Sequence, residues 1–492
     1  MLFFELEFLL FFTLFFLVYL MMGRVRQNKL IIAASYFFYG LWDYRFLGLL
    51  IVSTLVDFFV SNKIEECNNK KGKSKFFLLV SIVTNIGILA TFKYFNFFAE
   101  SFVNLTTSIG WSLSPFTLEV ILPAGISFYT FQTLSYTIDV YNRKITAEKN
   151  FINFSAYVAF FPQLVAGPIE RAGNLLIQFH KSRVVTASCF FVGIRLFGWG
   201  VFKKLFIADN LANIADPVFA NPSSYDSLSL LIALYAFSFQ IYCDFSGYSD
   251  MARGLAKMMG FELSINFNLP YFSKSLREFW TRWHITLSNW IRDYIYFPLG
   301  GSRGSKLFTS KNLIIAMLLS GLWHGAGWNF IFWGAYNGVI MASEYILKDS
   351  WLTSWWRQRS ATLRVIVTFH IVCFGWLLFR VNSVGEVYTY LYSFISGLER
   401  YTTELVLDNH DWLTLIDRVF ELYIGDSIGY IIKLLFYITP LLMVQIFQYS
   451  KSDHLFELSW KSWAKGSVYA VLFFSLLTFG ASDGKQFIYF QF

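Results

Sequence analysis

Charge is scarce in this chain of 492 residues: Asp, Glu, Lys and Arg make up 15% of it, where soluble domains carry about 25%. With 56% of residues hydrophobic, so little charge cannot cover a water-facing surface, and lipid is the expected solvent. Disorder and collagen-like fibres need the opposite composition and are excluded. Cysteine is sparse too. Cys67, Cys189, Cys243 and Cys373 stand far apart without metal-ligand spacing, which argues against a disulfide framework or a zinc site. There is no HExxH motif, and Gly300-Gly301-Ser302-Arg303-Gly304-Ser305-Lys306 misses the P-loop spacing. Repeats, low-complexity linkers and a soluble domain of any size are likewise missing.

What the chain has in abundance is apolar and aromatic, with 58 Phe, 28 Tyr and 16 Trp and a mean hydropathy of +0.49. The net charge of +8 reads as cytoplasmic loops facing anionic lipid headgroups, with no nucleic-acid partner. Leu2 to Met22 resembles a signal peptide, but Glu5 and Glu7 occupy the region that should be positive, and no small-residue cleavage site follows. Arg24, Arg26 and Lys29 stand as a stop-transfer cluster, so a retained helix with its N-terminus outside is expected. Further apolar runs fall near 30–42, 46–60, 76–98, 118–140, 151–166, 184–202, 227–243, 312–347, 361–379, 384–397, 428–448 and 465–481. The first two, joined by Trp42-Asp43-Tyr44, are short for a crossing of about 20 residues, and 151–166 before Gly167-Pro168 reads as re-entrant. Lysines at 63, 70, 71, 73 and 75 place that loop in the cytoplasm, and 99–117 with only Glu100 outside. The tract 274–311, with seven basic residues against two acidic, belongs inside. The polar gap 399–427 is the one extramembrane segment of note. The expectation is an all-α polytopic membrane protein, a single domain over 1–492, with roughly 11–13 membrane-embedded helices, some short, tilted or re-entrant.

Four of the six histidines have ordinary surroundings: His180 and His454 in polar loops, His410 in an acidic stretch, and His370 alone in an apolar run. His324 differs. It lies in Leu318-Leu319-Ser320-Gly321-Leu322-Trp323-His324-Gly325-Ala326-Gly327-Trp328-Asn329, inside an apolar stretch too long for one span, which Gly321, Gly325 and Gly327 are expected to break. Unwound backbone at membrane depth is tolerated only beside protein or a watered cavity, and an ionisable residue there marks a functional site. The bland alternative is a buried histidine bonded to a neighbouring carbonyl. His284 sits in the block Ser275 to Tyr294; at 100° per residue Trp280, Trp283, His284, Leu287, Trp290, Ile291 and Tyr294 share one arc, opposite Glu278, Arg282, Asn289, Arg292 and Asp293. One amphipathic helix along the cytoplasmic interface is expected, pointing His284 into the protein; a packed core histidine is the even alternative. Asp244, within Asp244-Phe245-Ser246-Gly247-Tyr248-Ser249-Asp250, would orient a histidine or pair with an arginine, and Glu170 with Arg171 offers a similar pair.

At these residues the sequence resembles the membrane-bound O-acyltransferases, in particular the bacterial branch of alginate O-acetylases and peptidoglycan O-acetyltransferases. The matching pieces, in family order, are Leu164 to Ile169, Asp244 to Ala252, Asn266 to Phe272, Arg277 to Gly301, Gly321 to Gly325 and Phe487 to Phe492. The resemblance implies tilted helices around a central tunnel, with the family's invariant histidine at His324 and its second conserved histidine at His284. It implies a cytoplasmic acyl-thioester donor, acetyl-coenzyme A, with no tightly bound cofactor or metal. It also implies an acceptor across a bacterial inner membrane, reached through a separate periplasmic or extracellular O-acetyltransferase partner, since no fused hydrolase-like domain is expected.

Neutral imidazole at His324 would take the proton of an acceptor hydroxyl attacking the thioester, and His284 would position the donor or bond the developing oxyanion. Trp280, Trp283, Asp244 and Asn289 are expected to line the substrate site. Arg277, Arg282, Arg303 and Lys306 are candidates for the coenzyme's phosphates, with lipid headgroups as the equal alternative. Three rivals stand: D-alanyl transfer to teichoic acid from a carrier protein, transport of polymer or acyl donor with His324 in a proton relay, and a purely structural membrane subunit.

Overall fold

The computed structural model describes residues 2–67, 70–111, 113–114, 117–118, 121–407, 425–451, 462–481 and 484–488. Among them helices are the only regular elements, as lipid requires of segments that must pair their own backbone groups. Five are long and apolar enough to cross a membrane: Arg24–Glu66, Lys71–Ser108, Ser227–Met258, Ala361–Arg380 and Ser427–Lys451. Their outer faces carry large apolar side chains; Val83 is 68% exposed and Leu477 65%, a surface that lipid covers and water would not. The chain is an all-α polytopic membrane protein.

Helix α1 (Leu6–Leu20) precedes α2 (Arg24–Glu66). Inside α2, Asp43 leaves the helical region with φ −162° and ψ 113°, at the Trp42-Asp43-Tyr44 junction expected from sequence. The bend folds α2 into a hairpin. Asn28 on one arm bonds Asn153 at 2.8 Å, and Asn62 on the other bonds the Glu148 carbonyl at 3.0 Å, so both arms return to the same side. α3 (Lys71–Leu89) runs through a π-helical turn, Ala90–Tyr94, into α4 (Phe95–Ser108). α5 (Ile126–Tyr141) packs between the second arm of α2 and α3, sewn by Asp57. Its Oδ1 accepts Thr137 at 3.0 Å and Ser81, and its Oδ2 accepts Asn85 at 2.9 Å.

The run 151–166 forms two short buried helices, α6 (Phe151–Val158) and α7 (Phe161–Leu164), neither long enough to cross. After α8 (Leu176–Phe179), Thr186 caps α9 (Ala187–Val201) by accepting the Cys189 N–H at 3.1 Å. A π-helical segment, Phe202–Ala208, leads into α10 (Asp209–Ala220), and this column lies antiparallel to α11 (Ser227–Met258). Two glycine pairs seven residues apart set that contact. A Cβ on Gly200 would stand 2.5 Å from the Gly247 oxygen, and one on Gly193 2.7 Å from the Gly254 oxygen. Backbones this close are the usual membrane substitute for a hydrophobic driving force.

α12 (Leu276–Trp280), α13 (Ile285–Ile291) with the π-helical turn Arg292–Tyr296, α14 (Lys306–His324) and α15 (Trp328–Ile346) follow. The apolar stretch 312–347 is thus divided at 325–327, as expected, although Gly321 lies within α14 and does not break it. Next come α16 (Trp351–Arg357), α17 (Ala361–Arg380) and α18 (Val384–Leu407). The last two are α19 (Gly425–Lys451) and α20 (Ser462–Phe479). The first part of the polar gap 399–427 belongs to α18; positions 408–424, His410 and His454 lie outside the described residues.

Candidate active site

The block expected as one interfacial helix is instead a re-entrant hairpin with His284 at its turn. His284 adopts φ 42°, ψ 54°, a left-handed conformation that costs a non-glycine residue about 1–2 kcal/mol, so the helical wheel does not run through it. The backbone groups released by the break pair with the segment before it: Asn268 N donates to the Arg282 oxygen and Ile285 N to the Asn266 oxygen, both at 2.9 Å. The hairpin's ends rest at a distance from the turn. Leu276 and Arg277 N–H groups bond Glu344 near the end of α15 at 3.0 and 3.2 Å, and the Tyr294 hydroxyl bonds Asp139 near the end of α5 at 2.8 Å. A pattern of side chains cannot announce this turn, because segment 266–268 creates it.

The turn meets the end of α14. The His284 and His324 rings lie 6.4 Å apart, centre to centre, and both side chains are buried. Phe245 and Trp323 flank His284 at 4.7 and 5.6 Å; Trp333 and Phe379 flank His324 at 5.1 and 5.4 Å. Gly325 and Gly327 are extended, so they are there for space. A Cβ on Gly325 would lie 2.0 Å from the Phe330 ring, and one on Gly321 2.1 Å from the Phe330 oxygen.

His324 opens onto a cavity of about 40 Å³ lined by Lys93, Pro123, Ser127, Phe128, Val165 and Trp323 among others. That is room for roughly three waters, the scale of an acetyl group and far short of a fatty chain. Lys93 was not foreseen. Its Nζ donates to the Trp323 and His324 carbonyls at 2.8 and 3.1 Å, and the neighbouring Tyr94 hydroxyl donates to the Leu322 carbonyl at 2.7 Å. Three carbonyls at the end of α14 are thereby satisfied, with a cation at the negative end of the helix. The π-helical turn Ala90–Tyr94 presents both side chains to one target. The signal was available, since Lys93 interrupts the apolar run 76–98.

The other expected residues divide. Trp283 is fully buried against Trp376 at 4.6 Å, and Trp280 packs on Trp333 at 5.4 Å; they form the aromatic wall behind the histidines. Among the described residues Asp244 bonds neither His284 nor His324 and pairs with no arginine. Its Oδ1 pairs with Lys204 at 2.7 Å and its Oδ2 accepts the Ile488 N–H at 2.7 Å, while Lys204 also pairs with Asp209 at 2.8 Å. Glu170 and Arg171 separate: Glu170 takes the Ser264 N–H and hydroxyl, and Arg171 pairs with Asp293 at 3.3 Å. Asn289 is half-buried on α13. Arg282 pairs with Glu278 at 2.8 Å. Lys306 pairs with Asp349 at 3.0 Å and holds that carboxyl below the usual range through their hydrogen bond. Arg277 and Arg303 are exposed.

His180 bonds Glu148 at 2.5 Å, and His370 bonds Tyr235 at 2.7 Å, which suits structural roles. Gly425-Asp426-Ser427-Ile428-Gly429 has GxSxG spacing, but Ser427 opens α19 and contacts Ser229 and Asp226 at 2.9 and 3.1 Å. That is a helix-to-helix tie, without the strand that a nucleophile elbow needs.

Residues 143–384 match the membrane-bound O-acyltransferase family. A probable alginate O-acetylase, AlgI, from Azotobacter vinelandii is 42% identical over 384 residues, covering 77% of this chain and 75% of its own. The peptidoglycan O-acetyltransferase of Helicobacter pylori is 31% identical over 509 residues, covering 97% and 94%. The teichoic acid D-alanyltransferase of Bacillus subtilis is 27% identical over 269 residues, covering 52% and 68%. The chain belongs to the membrane-bound O-acyltransferase family, and it is an acyltransferase.

Proposed function

We propose that this acyltransferase takes acetyl from acetyl-coenzyme A on the cytoplasmic side of a bacterial inner membrane and passes it outward for O-acetylation of an extracytoplasmic polysaccharide of the alginate or peptidoglycan kind. Its N-terminus lies outside, and a separate extracytoplasmic protein completes the transfer. The observation carrying this reading is His324 on a cavity of acetyl size, with His284 6.4 Å behind it, in a chain more similar to the O-acetyl transferring relatives than to the D-alanyl one.

In the reaction the acceptor hydroxyl attacks the thioester carbonyl, a C–O bond forms, and the C–S bond breaks. His324 accepts the hydroxyl proton and returns it to the departing sulfur, so nothing else is consumed. Trp280 and Trp283 keep water from the histidines. Arg277, Arg303 and Lys306, the three exposed members of the basic set, face the coenzyme's phosphates, or lipid headgroups when the donor is absent.

Inside-out vesicles given radiolabelled acetyl-coenzyme A test this. His324→Ala should lower label transfer by about a hundredfold or more while the protein accumulates normally. Full transfer without His324 refutes the base. Label from a D-alanyl carrier with acetyl-coenzyme A inert reassigns the donor, and polymer movement without thioester turnover makes the chain a transporter.

A further inference from the structure

Asn266 lies buried beside His284, and its Oδ1 stands at the centre of a small network. It is 3.3 Å from the Thr286 N–H, 2.9 Å from the Thr286 hydroxyl and 3.1 Å from His284 Nδ1. The amide can face only one way. A backbone N–H only donates, so the atom opposite Thr286 N is the oxygen, and Nδ2 is left for the Ser249 hydroxyl at 3.4 Å. The hydroxyl agrees, because Thr286 Oγ1 accepts the Ile169 N–H at 3.0 Å, which turns its own hydrogen toward Asn266. An acceptor oxygen opposite Nδ1 requires the proton of neutral imidazole to sit on that nitrogen, with the lone pair on Nε2. Three separate stretches, around Ile169, Asn266 and Thr286, converge to fix one proton.

We propose that Asn266 is a positioning residue that holds His284 in its Nδ1–H tautomer, so that Nε2 enters the acyl transfer as a proton acceptor and not as a hydrogen-bond donor to the oxyanion. This rests on the reading of His324 and His284 as the transfer site. It excludes one of the two roles expected for His284, since a lone pair aimed at a developing negative charge would repel it. The proton shed by the acceptor hydroxyl as the C–O bond forms goes to His324 and ends on sulfur when the C–S bond breaks, while the His284 Nε2 lone pair, with the two rings 6.4 Å apart, helps to accept it on the way.

The test uses the full chain in membrane vesicles with acetyl-coenzyme A as probe. Asn266→Leu removes the acceptor, and Asn266→Asp keeps it. The leucine variant should lose kcat by about tenfold or more with KM for the donor unchanged, since a wrong tautomer costs a serine protease about 10⁴; the aspartate variant should recover most of it. Equal losses in both, or an unaffected leucine variant beside an inactive His324→Ala, overturn the proposal and leave the functional reading standing. Should Asn266→Leu not accumulate, Thr286→Val strips the hydroxyl that pins Oδ1. A kcat loss of about threefold or more at unchanged KM then supports the lock, and wild-type kcat overturns it. A wild-type protein inert toward acetyl-coenzyme A refutes the donor assignment and this role together.

Discussion

Lys93 shows what one side chain contributes to a site it does not define. Its ammonium bonds the carbonyls of Trp323 and His324, so it fixes the last turn that carries the imidazole, and Ser127 stands 3.5 Å away on α5. Lys93→Met would leave two carbonyls without their charged donor, a loss of about 2–3 kcal/mol, and would loosen His324 by a fraction of an ångström. The expected outcome is a lower apparent melting temperature in detergent and a roughly tenfold to hundredfold fall in acetyl transfer, with Lys93→Arg recovering most of both. Unchanged transfer by the methionine variant would confine Lys93 to packing. The place of His324 at a helix end beside a glycine break was legible from the sequence, whereas Lys93 was passed over although its charge interrupts an apolar run. The partners of Asp244 were not, because Lys204 and Ile488 lie 40 and 244 positions away and no local pattern links them.

Among the elements, the helices whose breaks are written in glycine or in a polar junction were readable, and those broken by tertiary contacts were not. The division of 312–347 and the bend at Asp43 fall where small or polar residues interrupt apolar runs. The turn at His284 has no such marker: Trp283, His284 and Ile285 suit a helix, and the reversal is supported by backbone bonds from Asn266 and Asn268. The α14–α15 hairpin offers the cleaner test of how space controls the site. Gly325→Ala places a methyl 2.0 Å from the Phe330 ring, and a shift forced into a packed interior costs about 1–3 kcal/mol. Phe330 also contacts Phe379, the ring beside His324, at 5.0 Å. Gly325→Ala should therefore accumulate in the membrane yet lose most of its transfer activity, and Phe330→Leu should restore part of it. A double-mutant cycle measures the coupling, which for residues in contact runs about 0.5–3 kcal/mol; strict additivity would mean that Gly325 acts elsewhere.

For the molecule as a whole, the arrangement of α2 decides how the bundle sits in the bilayer. A straight helix of its 43 residues would be roughly 64 Å long, about twice the hydrocarbon thickness. As a hairpin, each arm crosses once and the bend emerges opposite the ends. The bonds of Asn28 and Asn62 to neighbouring parts of the chain, Asn153 and Glu148, put those ends together. If the lysine-rich loop after the second arm faces the cytoplasm, as its charge predicts, the bend, where Tyr44 is 79% exposed, faces outward. Thiol labelling reads this directly. Cys243 and Cys373 are buried, whereas Cys67 and Cys189 are partly accessible. In a Cys189→Ser background, Tyr44→Cys should react with a membrane-impermeant maleimide on intact cells, and Cys67 only after permeabilisation. Were Tyr44→Cys unreactive from either side, the bend would lie inside the bilayer and α2 would be a re-entrant hairpin that does not cross. The His324 cavity includes Trp42 at the same bend and Lys93 on the α3–α4 column, so labelling of position 44 from outside also places the mouth of the acetyl-sized cavity on the acceptor's side.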